Sequence, residues 1–404
     1  MSTAINIGIF GRRNTGKSSL INTIVGQKVA IVSDRPGTTT DPVRKRMEIF
    51  GLGPCVLIDT AGIDDSGELG EMRVERTEEV IRQIDLAILL FAGEEFGEDE
   101  ERLMNLFARY SLPVVLVHGK SDLSKLTQGM QNRLTGLYPG VKCMEFSAMA
   151  SGPGCEDSVK AIVDEIRTLS ERTRMMERPM FDGIVSPGQR VLLVCPIDSE
   201  APTGRLILPQ VNAIRSLLDI GAIVSVVQPQ QLSELFPAGG QHEAFDLTVT
   251  DSQAFSEVAA IVPEEVPLTS FSMLLARSKG CFDKYCEGTP MIDRLKDGDR
   301  VLILESCSHH ASCDDIGRVK IPALMRRRTG KDLTFDVVGG LDRIGRPMTD
   351  YALVVQCGGC MITRRQLHSR LLPAIENGIP VTNYGMAISY MKGIYQRALK
   401  PLTV

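Results

Sequence analysis

A chain of 404 residues has room for roughly two or three domains, each with a buried core. Its 45 lysines and arginines and 50 aspartates and glutamates give a formal net charge of −5, which offers no support for a nucleic-acid or anionic-membrane partner. The first residues lack the pattern of a signal peptide, and no apolar run is long enough to cross a bilayer. We therefore expect a cytoplasmic protein, whose ten cysteines are reduced thiols or metal ligands rather than disulfides.

A glycine-rich motif at residues 11–18 follows an apolar stretch typical of a strand and precedes apolar residues at helical spacing. It has the form G-x-x-x-x-G-K-[ST], in the context that a phosphate-binding loop requires. The glycines let the backbone approach the phosphates, and amide N–H groups converge there on an anion. Lys17 is expected to reach the outer phosphates and Ser18 to hold magnesium. The residues expected around the phosphates are Gly11, Asn14, Thr15, Gly16, Lys17, Ser18 and Ser19.

The next two polar segments contain the residues expected around the magnesium ion and the terminal phosphate. Residues 35–41 form a polar loop that includes Thr39. Residues 55–58 are typical of a buried strand, which ends at Asp59 and leads to Gly62. An aspartate at a strand end can hold magnesium through water, and the amide of a following glycine can contact the terminal phosphate.

The base pocket is expected after two further apolar strands, at residues 86–91 and 114–117. The second strand leads to a carboxylate, Asp122, which can accept two hydrogen bonds from guanine. Adenine lacks this pair of donors, so GTP is the expected nucleotide. The residues expected to form the pocket are Lys120, Asp122, Ser147 and Ala148, the last two through their backbone amides at the end of another strand.

Taken in order, these motifs resemble those of the translation-factor-related GTPases, close to the Era and TrmE type, over roughly residues 1–170. The family has Asn-Lys-x-Asp where this chain begins the same motif with Gly119. Since Asp122 is present, we expect guanine to remain the preferred base, whereas the departure leaves the effect of Gly119 on nucleotide affinity open. Gly62 is followed by Ile63, which cannot orient water as the glutamine of a Ras-like enzyme does.

The resemblance also implies how hydrolysis proceeds without that glutamine. In the family, an asparagine of the phosphate loop helps to bind a potassium ion that replaces an arginine finger, and Asn14 stands at that position. Thr39 is expected to close on magnesium. The resemblance thus implies a slow, potassium-stimulated GTPase, whose catalytic residues are Asn14, Lys17, Thr39 and Gly62.

The middle of the chain alternates predicted strands and helices, after a charged stretch that ends at Pro179. Strands are predicted at residues 190–194, 222–227 and 247–250, and helices at residues 211–218, 231–236 and 254–261. This alternation predicts a small parallel sheet with crossover helices. The segment shows no acid–base pair, nucleophile motif or ligand cluster, so we expect it to pack against its neighbours or to form a dimer surface. Cys195 is expected to be a core thiol.

Two cysteine-bearing loops follow predicted strands in the last third of the chain. The strand at residues 300–305 precedes a loop with Cys307, His309, His310 and Cys313, and the strand at residues 351–356 precedes Cys357 and Cys360. Ligand sites in open α/β sheets gather at the carboxyl ends of strands, so the two loops can meet at one point. The Cys-x-x-Cys spacing lets both of its sulfurs face one metal centre.

The residue types leave the nature of this site open. Zinc bound by Cys307, Cys357, Cys360 and either His309 or Cys313 is one interpretation, because zinc takes nitrogen and sulfur ligands. An iron–sulfur cluster on the three cysteines fits equally well. A third interpretation is a redox-sensing disulfide between Cys357 and Cys360, although no thioredoxin-like context surrounds the pair.

Other features of the last third have simpler interpretations. Cys281 and Cys286 are expected to be ordinary thiols, and the basic run at residues 325–328 a solvated helix face. Residues 363–376 are predicted to form a helix that stops at Asn377-Gly378. Residues 386–399 are predicted to form one amphipathic helix that covers the sheet.

The whole chain resembles the HydF family, GTPases that serve as scaffolds in FeFe-hydrogenase maturation. The resemblance is carried by the GTPase motifs, the middle α/β segment and the C-terminal Cys-x-His…Cys-x-x-Cys pattern. It implies a 4Fe–4S cluster on Cys307, Cys357 and Cys360, with His309 as the histidine of the first half-motif. The family commonly has a histidine directly before the Cys-x-x-Cys. Gln356 stands there and is a poor iron ligand, which favours an exchangeable fourth iron site.

The same resemblance implies partners and a domain plan. The protein would carry a transient diiron precursor from two radical-SAM maturation enzymes to apo FeFe-hydrogenase, as a homodimer with no nucleic-acid or membrane partner. The expected fold is α/β, with a P-loop GTPase domain at residues 1–172, a middle dimerisation domain at residues 180–265 and a cluster-binding domain at residues 266–404. The last two are expected to have mainly parallel sheets. The alternative is a ribosome- or tRNA-associated GTPase with a structural zinc, which the acidic charge balance disfavours.

Overall fold

The computed structural model describes residues 4–26, 30–32, 44–49, 52–60, 70–148, 153–175, 178–197, 206–237, 243–306 and 316–403. The chain falls into two units, Met1–Met176 and Glu177–Val404. Among the described residues, no helix has both the length and the apolar character needed to cross a membrane. Residues predicted to form or line functional sites that lie outside the described residues are Thr39, Gly62, Cys307, His309, His310 and Cys313.

The first unit is built on one sheet of seven strands. They are β1 (Ile5–Gly11), β2 (Ala30–Val32), β3 (Arg44–Ile49), β4 (Gly53–Asp59), β5 (Leu86–Ala92), β6 (Val114–Gly119) and β7 (Cys143–Glu145). The helices are α1 (Lys17–Gly26), α2 (Gly70–Gln83), α3 (Glu98–Arg109), α4 (Gln128–Leu137) and α5 (Pro153–Met175). The strand order is β2-β3-β4-β1-β5-β6-β7, and only the pairs that include β3 are antiparallel. The predicted α/β fold with a P-loop is confirmed.

The topology of this sheet positions the predicted nucleotide site. β4, β1, β5, β6 and β7 run parallel to one another, so their carboxyl ends lie along one edge. The phosphate loop follows β1, Asp59 ends β4, and Asp122 lies just after β6. Residues 86–91 of β5 are completely or almost completely buried, as expected for a parallel strand with a continuous apolar sequence.

The second unit contains two four-stranded sheets. The strands are β8 (Arg190–Val194), β9 (Ile223–Val227), β10 (Leu247–Thr250), β11 (Leu268–Ser270), β12 (Arg300–Leu304), β13 (Thr334–Val338), β14 (Leu353–Gln356) and β15 (Val381–Asn383). Their orders are β11-β10-β8-β9 and β13-β12-β14-β15, and every pair is parallel, which confirms the predicted sheet type.

Nine α-helices of the second unit lie within the described residues. They are α6 (Leu208–Ile220), α7 (Leu232–Leu235), α8 (Phe255–Ile261), α9 (Phe271–Lys279), α10 (Phe282–Gly288), α11 (Ile321–Thr329), α12 (Arg364–Glu376), α13 (Tyr384–Met391) and α14 (Tyr395–Leu399). A π-helical turn, Ile316–Lys320, precedes α11. α12 starts at the predicted point because the Thr363 side chain accepts a hydrogen bond from the Gln366 amide at 3.2 Å.

One hydrophobic core joins the two sheets of the second unit. It contains Leu193 of β8 and Val249 of β10 together with Leu304 of β12. Ile303, which lies between Leu302 and Leu304 in β12, belongs to a second hydrophobic cluster on the other face of the sheet, because successive strand residues point to opposite faces. The β11-β10-β8-β9 sheet and one face of the β13-β12-β14-β15 sheet therefore pack around the same apolar core.

The prediction of one amphipathic helix over residues 386–399 is wrong. The segment contains α13 and α14, which are separated at Gly393, whose φ is +78°. Residues 384–389 of α13 are all buried, so this part of the helix has no face that is exposed to solvent. A helix that is apolar on every side is a core helix rather than a surface cover.

Candidate functional site

At position 11, where β1 leads into the phosphate loop, the backbone leaves room only for glycine. Its φ is +144°, and a Cβ at this position would lie 2.3 Å from the Leu90 carbonyl oxygen. Gly16 also has a positive φ, of +102°, and Asn14 adopts the left-handed conformation with φ +59°. These backbone angles curl the chain tightly from the end of the strand into the helix.

The Lys17 ammonium is held inside this loop. Its Nζ donates hydrogen bonds to the carbonyl oxygens of Gly11 and Arg12, each at 2.7 Å. The Thr15 hydroxyl also donates to the Arg12 carbonyl, at 2.9 Å. Carbonyl oxygens are neutral acceptors, so the loop keeps a positive charge where an anionic phosphate is expected.

Ser18 and Asp59 bring two oxygen ligands together beside the loop. Ser18 Oγ donates to Asp59 Oδ2 at 3.3 Å, and Asp59 Oδ1 is buried with no hydrogen-bond partner among the described residues. Burial raises the pKa of Asp59, and the nearby Lys17 ammonium opposes that rise. A cavity of about 120 Å³ adjoins both side chains and is also lined by Ile21, Asn22 and Lys45. A hydroxyl and a carboxylate are hard oxygen donors, so this set fits Mg²⁺.

The carboxylate predicted to recognise guanine is fixed by the neighbouring loop. Ser147 Oγ donates a hydrogen bond to Asp122 Oδ1. The backbone supports this contact, because the Ser121 amide donates to the Phe146 carbonyl at 3.2 Å. The structure therefore brings Asp122 and Ser147 together, and Ala148 follows directly in the chain.

Gly119 lies in direct contact with the phosphate loop. A Cβ at Gly119 would lie 2.2 Å from the Thr15 carbonyl oxygen, closer than any side chain can approach. The asparagine that the family has here would therefore not fit on this backbone. The contact gives the glycine a structural reason, because it lets the end of β6 pack against the phosphate loop. A glycine at a strand end is the sequence signal of such a close approach.

Sequence reasoning also missed a link between the phosphate loop and α3. The Arg12 guanidinium donates two hydrogen bonds to Glu100, at 2.8 and 3.0 Å, and Glu100 is completely buried. The hydrogen bonds to Glu100 raise the pKa of Arg12 further. Glu100 also accepts a bond from the Gly97 amide at 2.9 Å, which caps the helix. The capping-box spacing was the available signal, although it does not identify Arg12 as the partner.

The two strands that precede the cysteine loops are neighbours in the second sheet. β12 pairs with β14 in parallel, and the Cys357 amide donates to the Leu304 carbonyl at 2.9 Å. Ser306, the last described residue before Cys307, contacts Cys357 directly. The two loops therefore begin side by side, as the strand-end argument predicted.

The Cys357 sulfur is surrounded by polar hydrogens. The backbone amides of Ser306 and Gly359 lie 3.1 and 3.4 Å from Sγ. The Ser306 hydroxyl lies 2.9 Å from Sγ, and the side-chain nitrogen of Gln356 lies 3.4 Å from it. Donors around a sulfur stabilise the thiolate, the form in which cysteine binds metals. This environment fits a ligand of an iron–sulfur cluster or of zinc.

Two cationic side chains, Lys279 and Arg370, donate hydrogen bonds to backbone carbonyl oxygens in and beside the two cysteine-bearing loops. Lys279 donates to the carbonyl oxygens of Gly359 and Ile362. Burial raises the pKa of Cys360, and the nearby Lys279 ammonium lowers it in part. The Arg370 guanidinium is buried and donates to the carbonyl oxygens of Glu305 and Val338, at 2.6 and 2.8 Å. Positive charge at this edge favours anionic thiolate ligands.

Among the described residues, no three His, Cys, Asp or Glu side chains are grouped so that they could hold a metal ion. Cys357 and Cys360 are the two predicted ligands within that part of the chain, and Cys307 and His309 lie outside it. The other thiols have different surroundings. Burial raises the pKa of Cys195 to about 12 and that of Cys281 to about 11, so both are neutral thiols near pH 7.

Two further side chains, those of His118 and Arg328, are held by local contacts. His118 is completely buried, with Nε2 3.2 Å from the Gly93 carbonyl oxygen and its ring 5.2 Å from that of Phe91. In the basic run, Arg328 forms two hydrogen bonds of 2.9 Å with the carboxylate of Asp293. These contacts account for both side chains locally.

Three family models match successive parts of the chain. A 50S ribosome-binding GTPase model matches residues 6–120, a hydrogen maturase F dimerization domain model matches residues 180–280, and a hydrogen maturase F tetramerization domain model matches residues 283–401. The phosphate loop and Asp59 lie in the first match, Asp122 and Ser147 follow it in the chain, and the Cys-x-x-Cys loop lies in the third match.

Curated relatives match about a third of the chain. The tRNA modification GTPase MnmE of Nitrosomonas europaea is 39% identical over 137 residues, 34% of this chain and 30% of that protein. The GTPase Der of Campylobacter hominis is 39% identical over 125 residues, 30% of this chain and 27% of that protein. The chain thus spans less than a third of the length of these relatives. A crystal structure of a single-residue variant of Aquifex aeolicus Era bound to GDP.AlF4− is 26% identical, covers 40% of this chain and 57% of that one, and has a TM-score of 0.33.

Proposed function

Because this chain has the domain architecture of hydrogen maturase F, with a GTPase domain that binds GTP and Mg²⁺, we propose that it is a cytoplasmic scaffold in FeFe-hydrogenase maturation. It binds a 4Fe–4S cluster through Cys307, Cys357 and Cys360, with His309 close by. It carries a transient diiron precursor from the radical-SAM maturation enzymes to the apo-hydrogenase. GTP acts as a switch for partner contacts and takes no part in the redox chemistry.

The observation that carries this proposal is the environment of the Cys357 sulfur. Two backbone amides and two side chains surround it at the carboxyl edge of a sheet. The neighbouring strand end leads directly to Cys307. Such an arrangement suits a thiolate that ligates a metal centre, and it lies within the part of the chain that matches hydrogen maturase F.

The proposed hydrolysis is slow and stimulated by potassium. Asn14 provides the potassium ligand, Lys17 stabilises the outer phosphates, and Thr39 and Gly62 respond to the terminal phosphate. The exposure of Asn14 in the phosphate loop supports this role, because its amide oxygen is accessible to a cation. Equal rates of GTP hydrolysis in sodium and in potassium would exclude the potassium role and leave the scaffold function in place.

The proposed oligomer is a homodimer formed through the edge strand β9. Its side chains Ile223 and Val226 are 54% and 44% exposed, within the segment that matches a dimerization domain. Val211 and Leu218 of α6 add further exposed apolar surface. An unpaired edge with apolar side chains is a site for strand pairing. Val226→Lys should convert dimers to monomers in light scattering, whereas Leu123→Lys, at an exposed leucine of the first unit, should not.

The metal content of protein purified without oxygen tests the scaffold function. We expect about four irons and four acid-labile sulfides per chain, and the loss of both in Cys357→Ala/Cys360→Ala. Cys143→Ala is the matched control, since this thiol lies in the first unit and burial raises its pKa to about 12. One zinc and no sulfide in the parent protein would overturn the cluster. GTPase activity that responds to dithiothreitol with no metal bound would instead identify a disulfide switch.

A second candidate function is a ribosome- or tRNA-associated GTPase with a structural zinc. It is favoured by the 50S ribosome-binding GTPase match at residues 6–120 and by the MnmE relatives, although each covers no more than about 40% of the chain. Zinc in place of iron, together with nucleic acid that co-purifies and raises the absorbance at 260 nm, would move this function to first place.

A further inference from the structure

We infer that Gln356 is a positioning residue of the cysteine site, whose amide donates a hydrogen bond to the Cys357 sulfur and raises the reduction potential of the bound cluster. This inference rests on the proposed cluster and concerns one residue of its surroundings. It assigns to Gln356 a role other than that of an iron ligand.

The orientation of the Gln356 amide follows from its neighbours. The residue ends β14 and is completely buried. Its Nε2 lies 3.2 Å from the Cys357 carbonyl oxygen, 3.1 Å from Ser306 Oγ and 3.4 Å from Cys357 Sγ. A carbonyl oxygen can only accept a hydrogen bond, so the atom that faces it must be the amide nitrogen. The same NH₂ group therefore faces the sulfur.

The carbonyl oxygen of the Gln356 amide gives no evidence that this side chain increases the stability of the fold. Gln356 Oε1 is buried and has no hydrogen-bond partner among the described residues. Burying a polar atom without a partner costs free energy, which an apolar side chain of similar size would avoid. What glutamine provides at this position is its pair of N–H donors beside Cys357.

Hydrogen bonds to a sulfur ligand change the electronic properties of an iron–sulfur cluster. They withdraw electron density from the thiolate and so favour the reduced cluster, which carries one more negative charge. Of the donors near Cys357 Sγ, two are backbone amides, which remain when side chains are changed. The two side chains near Sγ are those of Gln356 and Ser306. The Ser306 hydroxyl accepts from the Cys357 thiol and from the Gln356 amide, and it can donate to the sulfur once Cys357 is a thiolate.

Redox titration with dithionite, followed by electron paramagnetic resonance, tests the inference on the full chain with its cluster. In Gln356→Leu, the ratio of reduced to oxidised cluster at a fixed potential should fall about tenfold, a shift of about 59 mV to more negative values for a one-electron couple. Gln356→Glu, which removes the donors and adds an acceptor, should shift it further. Ser306→Ala should give a smaller shift in the same direction.

Thr382→Val is the matched control. Thr382 is completely buried in β15 opposite Val355, and its hydroxyl bonds to Thr289, so its loss affects the same sheet without touching Cys357. Its potential should equal that of the parent. The iron content of each variant is measured alongside the potential.

The outcomes separate this inference from the proposed function. A parent chain without iron and sulfide overturns both. A parent with the cluster and a Gln356→Leu variant of unchanged potential overturns the inference alone. If Gln356→Leu loses the cluster, Gln356→Met, an apolar side chain of closer shape, decides: a negative shift supports donation by the Gln356 amide to Cys357, whereas an unchanged potential, or loss of the cluster in this variant as well, overturns it and leaves Gln356 as a ligand or a purely structural residue.

Discussion

The nucleotide site and the cysteine site each contain one residue that departs from its family's pattern, and the two departures are accommodated in opposite ways. At the nucleotide site, Gly119 replaces an asparagine, and the missing side chain lets the Thr15 carbonyl approach the strand. At the cysteine site, Gln356 replaces a histidine, and its side chain fills the buried position and faces the sulfur of Cys357.

The difference follows from which atoms bind the ligand. In a phosphate loop, backbone N–H groups bind the anion. The path of the backbone therefore matters most, and a side chain that displaces it weakens binding. In a cysteine site a side-chain sulfur is the ligand, so the surrounding donors matter most. A departure from a family motif should therefore be judged by the atoms that the new residue touches.

The largest effect is expected from a residue that supports the cysteine site. Arg370→Met removes two buried charge-assisted hydrogen bonds, at a cost of about 2–4 kcal/mol in the free energy of unfolding. The Val338 carbonyl oxygen keeps the Glu305 amide as a donor, whereas the Glu305 carbonyl oxygen loses its Arg370 donor. Urea unfolding followed by circular dichroism measures the cost. Arg215→Met is the control, since Arg215 is exposed and pairs with Asp219 on its own helix, and it should change stability by less than about 0.5 kcal/mol. Equal effects of the two substitutions would show that the buried contacts do not hold this edge.

A smaller effect is expected when a side chain is restored at the nucleotide site. Gly119→Asn recreates the family motif, yet it should weaken GTP and GDP binding by roughly 5- to 150-fold, because relieving a backbone contact of this kind costs about 1–3 kcal/mol. Gly119→Ala should have most of the effect, since the Cβ alone makes the contact. A fluorescent nucleotide titration measures both.

Gly129→Ala provides the control for this prediction. Gly129 lies in α4, and a Cβ there would meet no atom within 4 Å. Its nucleotide affinity should be that of the parent. Tighter binding by Gly119→Asn would break the comparison between the two sites, because it would mean that the family asparagine can be accommodated after all.

Much of the fold could be predicted because its signals are local. Buried parallel strands such as β5 and β6 have continuous apolar sequences, and the phosphate loop combines glycines, Lys17 and Ser18 in eight residues. The meeting of the two cysteine loops could also be predicted, because it needs only that β12 and β14 run parallel. The glycine at position 393 was an available local signal for the break between α13 and α14.

What could not be predicted depends on contacts between distant residues. Gly119 and Thr15 meet only in the folded sheet, and so do Arg12 and Glu100. The direction of the Gln356 amide depends on Ser306, which comes from another strand end. A single sequence indicates which residues can do chemistry, but the carbonyl or sulfur that each one touches is set by the packing.

The smallest effect is the pH dependence of Mg²⁺-assisted GTP binding at the nucleotide site. Burial raises the pKa of Asp59, so a proton binds this carboxylate at a higher pH than it binds an ordinary aspartate. Protons and Mg²⁺ compete for the same oxygens, and Mg²⁺-dependent GTP binding should therefore weaken severalfold as the pH falls from neutral towards 5. Asp59→Asn should bind Mg²⁺ more weakly and lose this pH dependence, while nucleotide binding measured without Mg²⁺ serves as the internal control. An identical pH profile in the parent and in Asp59→Asn would show that Asp59 is not the group that protons and Mg²⁺ share.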